Sequence, residues 1–416
     1  MNDPSAFTPS HRISRLPPYL FGRLNEMKHR KRQQGIDVID LGMGNPNDPT
    51  PALIVEKLQE AAAVPRNQRY STTRGVFNLR REVARHYEAV YGVELDAESE
   101  VIASIGSKDG FSHMCLALLG PGDTALVPNP AFPPHVHGVA LAGANVISIP
   151  VSDPEAVLRD IVYAVERLFP KPKVLIINYP HNPTTATVEL PFFQEVVRLA
   201  RRHEFLVIHD FAYAGLGFDG FEPPSFLQAP GAREVGVEFT TMSKAYNMAG
   251  FRLGFCAGHR GMIGALGRIK GYYDYGVFQA IQIAGIIALR HCGEEAKQQA
   301  AIYAERRDVL VDGLSRIGWE VTPPRASMFV WAPIPRPWCD RMGSIDFALK
   351  LMDEAEVAVS PGRGFGEAGE GHLRFALVEN ENRLRQAVRQ IGRCLREEGS
   401  GVGVQSSGGA PEKGPA

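Results

Sequence analysis

The chain has 416 residues, of which 44% are hydrophobic and 22% are charged, so it contains enough apolar surface for two packed domains. Its formal net charge of −1 provides no global field for nucleic acid or an anionic membrane, so we expect charged ligands to bind only at local sites. The five cysteines are widely spaced and include no C-x-x-C pair, which argues against disulfides or a zinc knuckle and favours a reducing compartment.

The first 49 residues contain one basic cluster and one short apolar run. We interpret Lys28 to Arg32 as the solvated end of a helix that stops at Gly35, and not as a nucleic-acid patch, because no aromatic residues are interleaved. Residues 37–41 are typical of a strand without a following crossover helix, so we expect residues 1–49 to pack on a small C-terminal domain. The chain shows neither a signal-peptide pattern nor a membrane-length apolar run, and we predict a cytoplasmic protein without a membrane partner.

Apolar runs and helical periodicity alternate between residues 50 and 293. Continuous apolar strands separated by helices form a mostly parallel sheet that is covered on both faces, so this pattern predicts a large α/β domain over 50–293. Two of its helices are clearest, Pro154–Phe169 and Leu190–His203, which carry apolar residues at i, i+3, i+4 spacing. The predicted strands are 101–105, 124–127, 174–177, 205–208 and 237–240.

The pattern changes from Glu294 onwards. A smaller α+β domain over 294–396 is predicted from the order of its elements. The last residues, 397–416, are rich in Gly, Ser and Pro and predict a disordered tail, since they have too few apolar side chains to offset the entropy of ordering. The elements of the small domain are a helix to Ile317, a strand through 327–331, a helix over 345–355, a strand over 373–377 and a helix from Asn380.

Polar clusters follow the ends of five predicted strands. In open α/β sheets the ligands bind beyond the carboxyl ends of the strands, so these clusters should converge on one edge of the sheet. The clusters are Gly106–Asp109, Asn129–Phe132, Asn178–Asn182, His209–Asp210 and Ser243–Lys244.

Lys244 lies just past an apolar strand, with Ser243 beside it and Arg252 further along the same segment. A lysine that forms a Schiff base needs a lowered pKa or a cationic neighbour, while a serine hydroxyl and a guanidinium suit phosphate oxygens. The segment therefore points to pyridoxal phosphate. Taken alone, it fits a solvated loop lysine equally well.

Other residues at the strand ends suit the same cofactor. A carboxylate at Asp210 would be costly to bury without a positive partner, which a pyridinium nitrogen supplies, although a helix cap or salt bridge is the commoner role. Tyr213 and Asn182 offer polar groups for a ring hydroxyl. Ser107 opens a predicted helix at Gly110–Leu119 and suits either an anion site or a plain N-cap. Phe132, between prolines, suits ring stacking or the core.

Several other site classes are excluded. Two G-x-G-x-x-G matches, Gly215–Gly220 and Gly364–Gly369, do not open a helix, so we predict no dinucleotide site. His135-x-His137 is too short to specify a metal, and we assign no metal. Neither a P-loop nor a G-x-S-x-G elbow is present.

Taken in order, these motifs resemble the class I aminotransferases of fold type I, and the resemblance extends to about residue 396. Three segments, namely the one after the lysine, residues 41–46 and residues 360–366, are similar to the branch that holds bacterial glutamate–pyruvate (alanine) aminotransferases, with LL-diaminopimelate aminotransferases nearby. The motifs are GMGNP (42–46), YSTTRG (70–75), GSKDG (106–110), PNPAFP (128–133), NPT (182–184), HDFAY (209–213), SKAYNMAGFR (243–252) and LRFAL (373–377).

The resemblance implies a role for each matching residue. Pyridoxal phosphate would be the cofactor, Lys244 its Schiff-base lysine and proton shuttle, and Asp210 the partner of the pyridine nitrogen. Arg374 would hold the substrate carboxylate. Tyr70 would reach the cofactor of a partner subunit, which implies a homodimer with shared active sites. The remaining roles are Asn182 and Tyr213 at the ring hydroxyl, Ser107, Lys108, Ser243 and Arg252 at the phosphate, Phe132 at the ring, and Gly44, Asn182 and Tyr19 at the substrate.

Three positions depart from the family pattern. Phe132 stands where a tyrosine is usual, and Phe251 where a tryptophan is usual, so stacking survives but the tyrosine hydroxyl is lost. Val277 replaces a frequent hydroxyl residue, and we expect no phosphate contact there.

The resemblance implies transamination between an L-amino acid and a 2-oxo acid, with alanine and glutamate as the best guess for the donors. Aspartate, methionine or LL-diaminopimelate remain alternative donors. A C–S lyase or decarboxylase is a further alternative, because it would use the same cofactor and break a different bond at Cα. A non-enzymatic ligand sensor is disfavoured, since no helix-turn-helix precedes residue 40.

Overall fold

The computed structural model describes residues 9–14, 16, 20–151 and 153–397. Tyr19, which we predicted to line the pocket, and the predicted tail beyond Glu397 lie outside the described residues. None of the helices within these ranges combines the length and the hydropathy of a transmembrane span.

The helices alternate with strands through the middle of the chain and dominate its C-terminal part. The α-helices are α1 His11–Ser14, α2 Leu20–Gln33, α3 Ala52–Ala63, α4 Phe77–Tyr91, α5 Gly106–Leu118, α6 Pro133–Ala142, α7 Pro154–Arg167, α8 Leu190–His203, α9 Ala232–Val235, α10 Arg260–Tyr273, α11 Gln279–His291, α12 Gly293–Arg316, α13 Ser344–Glu354 and α14 Glu381–Glu397. The strands are β1 Ile39–Asp40, β2 Val101–Ser104, β3 Thr124–Asn129, β4 Asn145–Pro150, β5 Val174–Asn178, β6 Leu206–Asp210, β7 Gly236–Thr241, β8 Gly254–Gly258, β9 Phe329–Pro333, β10 Val357–Ala358, β11 Ser360–Pro361 and β12 His372–Ala376.

A seven-stranded sheet forms the centre of the large unit, in the order β2-β8-β7-β6-β5-β3-β4. Only β8 runs against its neighbours. The register pairs Asn178 with Asp210 and Asp210 with Phe239, so the carboxyl ends of β5, β6 and β7 lie side by side. The mostly parallel sheet that the sequence predicts is therefore present, and its neighbouring strand ends present their polar residues at one edge.

The central strands are buried on both faces, which explains their continuous apolar character. Val207 and Ile208, adjacent in β6, are both fully buried but belong to hydrophobic clusters on opposite faces of the sheet. A separate cluster gathers Trp319, Phe347 and Phe375 from the C-terminal part. The chain thus builds a large core around the sheet and a second core behind β9 and β12.

The C-terminal core is built on a three-stranded antiparallel sheet of order β11-β12-β9. The N-terminal strand β1 pairs in parallel with β10, so the segment before residue 50 lies against this part of the chain. β1 covers only Ile39–Asp40, whereas the sequence predicted 37–41. The chain then passes back to the large core through α3.

One predicted helix start is wrong in a way that matters for the site. We predicted a helix over Gly110–Leu119, but α5 begins at Gly106, because this glycine adopts a positive φ of 75° and turns the chain directly out of β2. Ser107 therefore lies inside the first helical turn, and Ile105 occupies the cap position without a side-chain hydrogen bond. The plain N-cap reading of Ser107 is not what the structure shows.

Candidate active site

A cavity of about 790 Å³ opens beyond the carboxyl ends of the central strands and reaches the second core. This is the edge of the sheet at which we predicted that the polar clusters would converge. Eleven predicted site residues line it: Gly44, Ser107, Lys108, Phe132, Asn182, Asp210, Tyr213, Ser243, Lys244, Arg252 and Arg374.

Lys244 follows β7 and lies half-buried in this cavity. Its Nζ donates a hydrogen bond to the Gly44 carbonyl oxygen at 2.7 Å. Burial, together with the charges of Arg374 and Arg252, lowers the pKa of Lys244 to about 8, and Asp210 partly opposes this change. A substantial fraction of this amine is therefore neutral at mildly alkaline pH, and a neutral amine is what a nucleophile and proton acceptor requires.

The pH dependence of Lys244 follows from this environment. Below pH 8 the amine is protonated and unreactive, and above it the amine is free, so acylation of Lys244 should reach half its maximum near pH 8. Arg374→Met removes a repelling cation and should move this midpoint upward. Competitive labelling of the cofactor-free chain, read peptide by peptide in a mass spectrometer, gives both values. A wild-type midpoint at the ordinary lysine value of 10.5 would contradict the assignment.

Asp210 ends β6 with its carboxylate buried in the cavity wall. One oxygen, Oδ2, lies 2.9 Å from His135 Nε2, and the other, Oδ1, is buried without a hydrogen-bond partner in the described structure. A buried carboxylate oxygen without a donor is costly, so this atom is suited to a positively charged N–H group from a ligand. The protonated nitrogen of a pyridine ring is such a group.

His135 is a site residue that the sequence reasoning missed. We considered it only as half of a His-x-His metal motif, but its buried ring instead contacts Asp210 and packs edge-on against Phe132 at 5.6 Å. The partner lies 75 residues away in the chain. The available signal was its position in the first turn of α6, three residues after Phe132 and soon after the end of β3.

Asn182 links Tyr213 on one side of the cavity to Arg374 on the other. Its Nδ2 donates to the Tyr213 hydroxyl at 3.2 Å, and its Oδ1 accepts from Arg374 Nη1 at 2.7 Å. Asn178 fixes the Asn182 backbone by accepting its N–H at 2.9 Å. Burial raises the pKa of Tyr213, so its phenol remains a neutral hydrogen-bond donor. The amide therefore orients both a phenol and a guanidinium.

Arg374 lies in β12, so the C-terminal part of the chain contributes this residue to the cavity wall. Its Nη2 donates to the Gly42 carbonyl oxygen at 2.9 Å, and its guanidinium carbon lies 4.0 Å from the centre of the Phe329 ring. The planar guanidinium is thus held by Asn182, Gly42 and an aromatic face. A guanidinium fixed in one plane suits two-point binding of a carboxylate.

An anion cradle forms where α5 begins. Arg252 adopts a left-handed backbone conformation with φ 55°, and a Cβ atom placed on Gly106 would lie 2.7 Å from its Nη2. A Cβ atom on Gly254 would lie 2.8 Å from the backbone nitrogen of Ser107. Only glycine at these two positions allows the guanidinium and the helix N-terminus to approach so closely. A helix N-terminus beside an arginine is suited to a phosphate group.

Tyr70, Phe251 and Val277 lie apart from the cavity of their own chain. Tyr70 is 91% exposed and touches Tyr275 edge-on, with ring centres 5.7 Å apart. Val277 is buried in the large hydrophobic cluster, and Phe251 packs against that cluster. The two departures from the family pattern at Phe251 and Val277 are therefore core positions in this chain.

Comparison with known proteins identifies the family. The family model for class I and II aminotransferases matches residues 36–391. The glutamate–pyruvate aminotransferase AlaC of Escherichia coli is 50% identical over 93% of this chain and 94% of its own length. An LL-diaminopimelate aminotransferase of Moorella thermoacetica is 43% identical over 93% of this chain and 98% of its own length.

Solved structures agree on the fold. Substrate-bound BacF from Bacillus subtilis superposes with a TM-score of 0.85 at 34% identity, covering 93% of this chain and 98% of that one. A mutant aspartate aminotransferase from Thermus thermophilus gives 0.84 at 26% identity, covering 94% and 100%. The predicted α/β architecture of fold type I is confirmed. The family model matches most of the chain, and relatives with the same fold align over nearly their full lengths. This chain therefore belongs to the class I and II aminotransferases.

Proposed function

We propose that this aminotransferase uses pyridoxal phosphate to move an amino group between alanine or glutamate and the corresponding 2-oxo acid, pyruvate or 2-oxoglutarate. The observation that carries the proposal is one cavity that holds Lys244, the unpartnered oxygen of Asp210 and the guanidinium of Arg374. The choice of substrates rests on the name of a relative that is 50% identical over nearly the whole chain.

The residues present fit the cofactor. Asp210 Oδ1 offers a buried acceptor for a protonated ring nitrogen, and Asn182 and Tyr213 offer donors for a ring oxygen. The start of α5 and Arg252 form the cradle for a phosphate. When bound, pyridoxal phosphate supplies an aldehyde that condenses with amines and a ring that accepts electrons from the substrate Cα.

The chain's own residues then supply binding, orientation and proton transfer. Arg374 holds the substrate carboxylate, which fixes the direction of the Cα–H bond relative to the cavity. Lys244 Nζ accepts the proton from the substrate Cα and returns it, as its lowered pKa allows. Asp210 keeps a negative charge beside the ring nitrogen throughout. Because the amino group is left on the enzyme between two substrates, the kinetics should be ping-pong.

LL-diaminopimelate is the second candidate donor, because a relative with that name is 43% identical over 93% of the chain. A matrix of amino donors against pyruvate and 2-oxoglutarate tests both candidates. We expect the highest kcat/KM for the alanine–2-oxoglutarate and glutamate–pyruvate pairs. A clear preference for LL-diaminopimelate, aspartate or methionine would replace the proposed substrates. Release of ammonia and pyruvate without an acceptor would indicate the lyase alternative.

We further propose a cytoplasmic homodimer with shared active sites. The exposed ring of Tyr70 stands outside the cavity of its own chain, which suits a reach into the cavity of a second copy. All five cysteines are free, as is usual in a reducing compartment. We also propose that the chain divides as the sequence suggests, at about residues 50 and 293, because β1 pairs with β10 and the two cores are separate.

The proposed sharing of active sites between subunits predicts the activity of mixed dimers. Tyr70→Ala should lower cofactor affinity and activity about 10-fold to 100-fold, since one hydrogen bond to a charged phosphate is lost. Lys244→Ala should be inactive. When the two variants are mixed, unfolded and refolded together, the mixed dimer contains one site with both native residues. Activity should therefore exceed that of either variant alone, whereas Tyr70 acting within its own chain would give no gain.

A further inference from the structure

The segment between β1 and α3, residues 42–50, touches both groups on which the proposed chemistry depends. We call it the 42–50 loop. Its Gly42 carbonyl oxygen accepts from Arg374 Nη2 at 2.9 Å, and its Gly44 carbonyl oxygen accepts from Lys244 Nζ at 2.7 Å. Lys244 comes from the large core and Arg374 from the second core. The position of this loop therefore sets the spacing between the two groups.

The far end of the loop is fixed by a bidentate ion pair. Arg306 Nη1 and Nη2 donate to the two carboxylate oxygens of Asp48, each at 2.7 Å. Arg306 is only 5% exposed. Its Nη1 also donates to the Leu377 carbonyl oxygen at 3.3 Å, just beyond the end of β12. The same guanidinium thus ties the loop to the strand that carries Arg374.

A second set of hydrogen bonds connects Asp48 to Asn247, in the turn that carries Lys244. Gln299 lies two helical turns before Arg306 on α12 and therefore on the same face. Its Nε2 donates to Asp48 Oδ2 at 3.0 Å, and its Oε1 accepts from Asn247 Nδ2 at 2.7 Å. Thr50 closes the connection by donating to the Asn247 carbonyl oxygen at 2.7 Å. One carboxylate therefore links three separate segments.

The charge state of this network is fixed at neutral pH. Burial raises the pKa of Asp48, but the hydrogen bonds from Arg306 and Gln299 outweigh it and hold the pKa below its ordinary value. Loss of the Asp48 charge would leave the buried guanidinium of Arg306 with only one carboxylate partner, Glu381, whose Oε1 lies 3.4 Å from Nε, and this loss of the two-point pair favours displacement of the loop.

We propose that Asp48, Arg306 and Gln299 are positioning residues, which hold the 42–50 loop so that Gly42 and Gly44 keep Arg374 and Lys244 correctly spaced. Because the loop contacts the substrate-binding guanidinium and the reactive amine through backbone atoms, a shift of the loop moves both. This inference rests on the proposed roles of Lys244 and Arg374. It adds a network of side chains that touch neither substrate nor cofactor.

The test compares Asp48→Asn with a matched control on the same helix. Arg307 lies next to Arg306, its side chain is equally buried at 6% exposure, and it forms its own two-point pair with Asp219. Asp219→Asn therefore removes one of two carboxylate partners from an equally buried arginine, as Asp48→Asn does, but at a loop that does not line the cavity. The Asp219 side chain is 69% exposed, whereas that of Asp48 is 19% exposed. Both variants should lower the melting temperature, so stability alone does not separate them.

Two readouts separate positioning from stability. The first is the dissociation constant of 2-methylalanine, an amino acid without an α-proton, measured from the visible spectrum of the loaded enzyme. The second is amide hydrogen exchange in the 42–50 loop of the cofactor-free chain. Asp48→Asn should weaken 2-methylalanine binding about tenfold and speed exchange in the loop, on the scale of one lost charge-assisted hydrogen bond. Asp219→Asn should leave both at wild-type values.

Gln299→Met provides a milder variant that leaves the ion pair intact. It removes the hydrogen bonds of Gln299 to Asp48 and to Asn247 but keeps both bonds between Arg306 and Asp48, so it should fold normally and weaken 2-methylalanine binding by about threefold. If Asp48→Asn folds, binding and exchange that match those of Asp219→Asn would overturn the inference. If Asp48→Asn does not fold, wild-type values for Gln299→Met would do the same. A wild-type chain without any lysine-linked absorbance would instead overturn the proposed function and this inference with it.

Discussion

Lys244→Ala should abolish transamination and, with it, the visible absorbance of the lysine-linked cofactor. The side chain has two tasks in our account: it anchors the cofactor covalently, and its Nζ carries the proton from the substrate Cα. Positioned proton transfer alone contributes about 10²-fold to 10⁴-fold to a rate, so we expect turnover to fall by at least about 10⁴-fold when both tasks are lost.

Lys244→Arg tests whether a positive charge at this position is enough for activity without an amine that can be deprotonated. Arginine keeps a cation beside Asp210 and Gly44, but it cannot be deprotonated in the working pH range, so it should be as inactive as alanine. Single-turnover assays with an amino donor and absorbance spectra measure both variants. Full activity of either one would remove Lys244 from the mechanism, whatever its place in the cavity.

Asp210→Asn should slow the first half-reaction by about 10²-fold to 10⁴-fold while leaving the cofactor bound. A buried carboxylate opposite a positive ring nitrogen stabilises that charge, and loss of one partner from a buried ion pair typically costs about 3–5 kcal/mol. His135 Nε2, now 2.9 Å from Asp210 Oδ2, still finds an amide oxygen, so the fold should tolerate the change. The neutral amide removes the charge and places an NH2 group where the acceptor Oδ1 stood.

The matched variant is Asp210→Glu, which keeps the negative charge at a slightly different place. We expect it to retain more activity than Asp210→Asn, and both to keep the absorbance of the cofactor linked to Lys244. Rapid mixing with an amino donor, without an acceptor, gives the rate of the first half-reaction directly. Equal rates for wild type and Asp210→Asn would show that no charge is needed beside the ring nitrogen.

Many of the helices and strands could be predicted from the sequence, because the patterns that indicate them are local. Helix α8 occupies Leu190–His203 as predicted, since its strong amphipathic pattern and the proline in its first turn leave few alternatives. The buried strands β5 and β6 likewise appear as continuous apolar runs. Lys244 and Asp210 were found for a related reason, since each polar residue follows such a run directly.

Other parts of the fold depend on contacts that a linear pattern does not carry. Strand β8 was missed because it begins and ends with glycine, which has low strand propensity, and its pairing with β2 and β7 decides its conformation. Strand β4 was missed because it lies at the sheet edge and only Ile149 among its residues is buried, so it lacks a buried run. Tertiary pairing overrides weak local preference in both cases.

The contacts in the site that were not predicted join residues that are distant in the chain or involve backbone atoms. His135 meets Asp210 across 75 residues, and local spacing suggested only a metal motif. The resemblance placed Gly44 at the substrate, but the carbonyl contacts of Gly42 and Gly44 with Arg374 and Lys244 were not predicted, because every residue possesses a carbonyl oxygen. Only the family resemblance suggested the role of Tyr70, because this residue is exposed in its own chain and its proposed role needs a second copy.

The central claim is that the chain transfers an amino group through Lys244 and retains it between substrates. The most direct measurement mixes the cofactor-loaded enzyme with alanine or glutamate in the absence of any 2-oxo acid acceptor. We predict one equivalent of 2-oxo acid per chain, loss of the lysine-linked absorbance and no free ammonia, with recovery of the absorbance when the acceptor is added. Continuous release of ammonia and 2-oxo acid, or an unchanged spectrum in the presence of every donor tested, would contradict the account.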